Sequence, residues 1–95
     1  MVAEVTTSCT FLKVVPAVGL AKYYTLVIET PATVDSGDTI TFLKSKWGTV
    51  VGGSAVNKTT GVAEALSIAL STDTYTITCG TGTDKARGYT LTMMI

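Results

Sequence analysis

The stretch "TYTITCGTGTDKARGYTLTMMI" constrains the fold more than any other part of the chain. In it Tyr75, Ile77 and Cys79 alternate with Thr74, Thr76 and Thr78. After a glycine-rich interval, Tyr89, Leu91 and Met93 alternate with Thr90 and Thr92. A period of two places the apolar set on one face and the threonines on the other, which only an extended strand does. The same period runs through "KYYTLVIET", where Tyr24, Leu26 and Ile28 share one face and Tyr23, Thr25, Val27 and Glu29 the other. Thr is β-branched and favours the pleated strand, and its hydroxyl tolerates water. Roughly one residue in five is Thr, far above ordinary usage.

Other segments extend the β reading. From Val2 to Val15, Val5, Cys9 and Phe11 fall on one face and Thr6, Ser8 and Thr10 on the other. Leu12 and Val14 then put apolar groups on the threonine face, which implies a bulge or burial on both sides. Pro16 and Gly19 end that segment. "VDSGDTITFL" reads as a turn at Asp35-Ser36-Gly37-Asp38 followed by a strand with Ile40 and Phe42 inward. "KSKWGTVVGGSAV" reads as a strand region, bulged or bent at Gly52-Gly53. "VAEALSIALS" admits a helix on propensity. Its alternation of Leu66, Ile68 and Leu70 with Ser67, Ala69 and Ser71 favours a strand over 62–71.

The glycine-rich interval Gly80–Gly88 is either a phosphate cradle or the corner of a hairpin. A phosphate loop needs G-x-x-x-x-G-K-[ST] and a helix opening directly after it. Here Lys85 does not follow such a glycine, and a threonine-rich strand follows the loop. The expectation is a β-hairpin whose strands set Thr opposite Thr. Were an anion to bind, Lys85 and Arg87 would be the groups to test.

Ninety-five residues make one domain, 1–95, with no room for a second core. Hydrophobic residues are 46% and charged residues 15% of the chain, against roughly 25% charged in an average soluble domain. Mean hydropathy is +0.43. Either neutral polar groups coat the surface or a partner covers part of it. A net charge of zero gives no basic excess for a phosphate backbone, so no nucleic-acid partner is expected. The absence of His removes the usual general base and the commonest metal ligand. No catalytic residue, cofactor or metal ligand stands out. The start, "MVAEVTTSCT", lacks the basic and apolar regions of a secretion signal. No apolar run reaches the ~18 residues of a membrane helix, and a membrane barrel of at least about eight ten-residue strands hardly fits. Synthesis in the cytoplasm, with no membrane partner, is expected.

The remaining constellations have plain readings. Cys9 and Cys79 form no C-x-x-C; they are either buried free thiols, which pack as small hydrophobes, or a disulfide. Asp35 and Asp38 could pair or hold calcium, but too few oxygens accompany them, and a turn accounts for them. "NKT" at Asn57 matches a glycosylation acceptor without a secretory context. "KSKW" could clamp a sugar or a single strand through Lys44, Lys46 and Trp47. The plain alternative is a Trp at the core edge with snorkelling lysines.

"LTMMI" sets Met93, Met94 and Ile95 in succession, so apolar groups occupy both faces of a strand. One face meets the domain's own core and the other calls for a neighbouring subunit. Val14, Val27, Trp47, Met94 and Ile95 are the interface candidates. The turn and strand "TVDSGDTITF", the following "GTVVGGSAV" and the closing "YTITCGTGTDKARGYTLTM" resemble small β-rich structural proteins of tailed phages, especially capsid decoration proteins. The resemblance implies homo-oligomers that dock on a viral capsid and brace it by filling gaps between capsomers. It also implies residence in the virion after synthesis in the host cytoplasm. The apolar bias departs from a freely soluble decoration trimer and leaves a tail or shell component open.

The expectation is an all-β, antiparallel β-sandwich or small barrel of about seven strands, acting without catalysis as a virion structural protein. The rival is a cytoplasmic ligand-binding β module that takes carbohydrate or peptide on Trp47, Tyr23 and Tyr24. A third class, an enzyme, would need a pocket holding Lys with Thr or Asp.

Overall fold

The alternating stretches become strands. The computed structural model describes residues 3–15, 22–80 and 82–95; Met1, Val2, Pro16, Gly19 and Thr81 lie outside the described residues. In chain order the strands are β1 (Thr10–Val14), β2 (Tyr23–Glu29), β3 (Thr39–Leu43), β4 (Thr49–Asn57), β5 (Val62–Glu64), β6 (Ile68–Ser71), β7 (Thr74–Thr78) and β8 (Arg87–Met94). A short 3-10 turn, Thr6–Ser8, precedes β1, and a single helical turn, α1 (Lys44–Trp47), separates β3 from β4.

The chain is all-β and its named strands pair antiparallel. One sheet has the order β1-β2-β8-β4-β5 and the other β3-β7-β6, and neither closes on itself. The inward rows of both sheets meet in one cluster. Tyr24, Leu26 and Ile28 from β2 and Tyr89, Leu91 and Met93 from β8 join Ile40 and Phe42 from β3 and Tyr75 and Ile77 from β7. Each large apolar side chain buried there contributes roughly 1.5–3 kcal/mol against the entropy of ordering the chain. Met93 is fully buried while Met94 faces outward, as the alternation requires.

Local chemistry accounts for the joints. Asp35 to Asp38 is the expected turn. The Asp38 amide donates to Asp35 O at 3.1 Å, and Gly37 sits at φ +89°, a conformation glycine adopts without a Cβ clash. The register of β4 against β8 slips between Val50 and Gly52, so the bulge falls at Val51, next to the expected glycine pair. The segment 62–71 is extended, as its alternation indicated, but it divides into β5 and β6 in different sheets.

Three expectations fail. "KSKW" is not strand: it forms α1. At its end Gly48 lies at φ +100°, and a Cβ there would stand 2.5 Å from Met94 O. Leu12 and Val14 are neither bulged nor doubly buried. They are 56% and 46% exposed on the outward side of an edge strand. The third failure is the hairpin: β7 and β8 lie in different sheets. The interval between them is a crossover. The Thr-Thr pairing is real but involves other strands, with Thr76 opposite Thr41, Thr78 opposite Thr39 and Thr92 opposite Thr25.

Candidate functional site

Register gives the composition of the two outward faces. On the five-stranded sheet, Leu12 lies opposite Val27, and Val27 opposite Thr90. Val14 lies opposite Thr25, and Thr25 opposite Thr92. Tyr23 lies opposite Met94, and Met94 opposite Thr49. This face therefore carries Leu12, Val14, Tyr23, Val27, Met94 and Val56 among threonines. Its charged residues, among those described, are Glu29 and Lys58, which pair with each other at one end, the Lys58 stem lying over Gly88. On the three-stranded sheet the outward face holds Thr39, Thr41, Thr74, Thr76, Thr78, Ala69 and Ser71, with Leu43 at its end.

Three of the five interface candidates, Val14, Val27 and Met94, are thus brought onto a single face. Trp47 is elsewhere, half-buried and stacked on Phe11 with ring centroids 5.7 Å apart. Ile95 follows β8 and is 74% exposed; its amide donates to Lys22 O at 2.7 Å. The exposed Leu12 and Tyr23 were not among the candidates, although Leu12 shares the alternation of Val14 and Tyr23 that of Val27.

The glycine-rich crossover wraps around a cation that the chain itself supplies. Arg87 is fully buried. Its Nη1 donates to Val34 O at 2.9 Å and Lys85 O at 3.5 Å, and its Nη2 to Gly80 O at 3.2 Å and Gly82 O at 3.3 Å. Nε faces Glu64 Oε1 at 3.4 Å. An anion cradle converges N–H groups; here carbonyl oxygens converge, and Arg87 is spent on them. A Cβ on Gly80 would meet the Glu64 carboxylate at 2.7 Å, so glycine permits that packing. From sequence Arg87 stands with Lys85 as a group to test for anion binding, not as a buried side chain. The signal that could have found it is parity, since it extends the inward row of Tyr89, Leu91 and Met93.

The aspartates are structural as well. Asp38 Oδ1 accepts from the Ala3 amide at 3.0 Å and Oδ2 from the Asp35 amide at 2.9 Å. Those hydrogen bonds hold its pKa below the ordinary carboxylate value. Asp35 Oδ1 accepts from the Asp84 amide at 3.0 Å. Cys9 and Cys79 are free thiols. Burial, then Cys79, pushes Cys9 up to about 11, and burial raises Cys79 as well. Both are therefore protonated and weakly nucleophilic at neutral pH. The Tyr89 hydroxyl is buried without a hydrogen-bond partner, and burial followed by the Cys79 thiol raises its pKa. Among the described residues no group of three or more Cys, Asp or Glu side chains is arranged to hold a metal ion. No helix among them is long and apolar enough to cross a membrane.

An open cleft of about 580 Å³ lies between the 3-10 turn and β3, lined by Thr6, Thr7, Cys9, Phe11, Thr41 and Trp47 among others. Phe11 also meets Phe42 edge-on at 6.3 Å, and Lys46 Nζ lies 5.4 Å from the Trp47 ring centroid. The stacking trio expected from sequence does not gather here. Tyr24 is buried, its hydroxyl donates to Trp47 O, and Lys13 Nζ covers its ring at 4.6 Å. Tyr23 is on the outward face of the five-stranded sheet.

Comparison with protein-family models, with curated proteins and with solved structures finds no match.

Proposed function

We propose that this chain is a non-enzymatic structural protein that self-associates through the outward face of its five-stranded sheet. The two sheets are read as an antiparallel sandwich: both are open, and their inward rows share one core. The carrying observation is the row of Leu12, Val14, Tyr23, Val27 and Met94 on a face whose charges are confined to the Glu29–Lys58 pair at one end. Five strands of three to nine residues cover roughly 500 Å² in projection, the order of the ~800 Å² per partner in a specific interface once side-chain relief is added. The occupant is a second copy. A face whose two charges neutralise each other selects no oppositely charged partner, and a chain of net charge zero does not repel itself.

The sheet edges favour the face over strand-to-strand pairing. Residues 3–5 and Thr6 Oγ1, which accepts from the Thr41 amide at 2.8 Å, close the β3 edge as far as that amide, leaving a stretch too short for a second copy's whole strand. On β1, Lys13 points inward, and an added strand would trap its charge. β5 and β6 are short, at three and four residues.

The resemblance to capsid decoration proteins adds the setting. The assembly belongs to a virion, as a capsid or tail-associated component made in the host cytoplasm, and it braces its neighbours by burying apolar sheet surface. Light scattering coupled to size exclusion tests the core of this reading. A discrete oligomer is expected; a monomer at high micromolar concentration would overturn it.

A further inference from the structure

We infer that the aromatic cleft is a strand-addition site for an extended peptide from another chain, with an apolar residue followed by an acidic one. The site lies apart from the outward face and does not rest on self-association.

The β3 edge already accepts a strand. Glu4 bridges Thr39 in parallel, the Thr39 amide donates to Ala3 O and the Val5 amide to Thr39 O, both at 2.8 Å. Thr39 therefore turns its backbone groups away from β7. By strand alternation Thr41 and Leu43 do the same, while the Lys44 amide donates to Asp73 O on the other side at 2.8 Å. After Val5 the chain leaves this edge at the 3-10 turn, and only the Thr6 hydroxyl continues, on the Thr41 amide. The Thr41 carbonyl and the Leu43 amide face the cleft where the next strand residues would have lain. In parallel pairing a single incoming residue supplies both the N–H for the first and the C=O for the second.

Parity then fixes the side chains. The bridging residue sits two places beyond Val5, so its side chain points inward as Val5 does, onto Phe11, Phe42 and Trp47. The following residue points outward beside Leu43; Leu43 and Lys46 both line the cleft, and Lys46 is the cation among its lining residues, which selects an acid there. With few backbone bonds the affinity is weak, with Kd on the order of 0.1–1 mM.

Trp47 is the chain's single Trp and reports occupancy. Acetylated, amidated Ser-Phe-Glu-Ser is titrated while Trp47 fluorescence and amide exchange at Leu43 are followed. A saturable fluorescence change with slowed exchange at Leu43 is expected. Binding should weaken at least about tenfold when the Phe nitrogen is methylated, and about three- to tenfold in Lys46→Glu. Lys46 is exposed, so that variant leaves the fold intact. Equal binding of the N-methyl peptide, unchanged Leu43 exchange, or a response to a β-linked glucose oligomer but not to the peptide would each overturn the inference.

Discussion

The two outward faces are built from the same strand alphabet and differ in what alternates with the core row. On the three-stranded sheet the outward positions are hydroxylic almost throughout, from Thr39 and Thr41 to Thr74, Thr76 and Thr78. On the five-stranded sheet the same positions mix threonine with Leu12, Val14, Tyr23, Val27 and Met94. A scarcity of charge admits two remedies, a neutral polar coat or a covering partner. This molecule uses the coat on one side and leaves the other suited to cover. Thr and Val are nearly the same shape, so the strands tolerate either, and the choice falls on solvation alone.

The largest expected effect comes from removing what sets the two faces back to back. Arg87→Lys keeps the charge but loses the fork that gathers Val34, Gly80 and Gly82 carbonyls. It leaves them and Glu64 poorly matched, at a cost of roughly 3–5 kcal/mol in chemical unfolding. A loss under about 1 kcal/mol would mean that the carbonyl cage is incidental to the crossover.

Converting one face into the other comes next. The triple change Leu12→Thr, Val27→Thr and Met94→Thr extends the threonine coat and should reduce the scattering mass to that of a single chain. Thr74→Ser, Thr76→Ser and Thr78→Ser on the other sheet should leave the mass unaltered. The reverse conversion, Thr74→Val, Thr76→Val and Thr78→Val, should create a second sticky face, seen as larger, polydisperse species and lower solubility. If both conversions leave the mass alone, the faces differ in composition without consequence.

Smaller effects separate association from folding. Hydrogen bonds hold Asp38 below its ordinary pKa. Its stabilisation is thus complete above the unfolded value of about 4 and disappears as pH falls through the lower folded value. Urea midpoints should fall along that acid limb, and Asp38→Asn should flatten it while lowering stability at neutral pH. The least effect is expected from salt. An interface with almost no charge should keep its mass between about 0.05 and 1 M sodium chloride, where the screening length shrinks severalfold. Dissociation by salt would point to ion pairs such as Lys58–Glu29 instead of the apolar rows.

The sequence by itself determined most of the strands and the side each alternating residue faces, though not the helical turn at Lys44–Trp47 or the 3-10 turn at Thr6–Ser8. Period-two alternation is a local property of the backbone, so Tyr75, Ile77, Tyr89, Leu91 and Met93 are core from their spacing alone. It left Val14, Val27 and Met94 legible as outward apolar groups but not as neighbours. Only the tertiary structure decided who pairs with whom. Backbone hydrogen bonds carry no sequence label, and a glycine-rich interval fits a corner within one sheet as readily as a crossing between two. Arg87 settles that choice in the folded chain, since its guanidinium needs carbonyls from 34 and from 80–85 together. The gathering of those groups is a long-range event that no local pattern encodes.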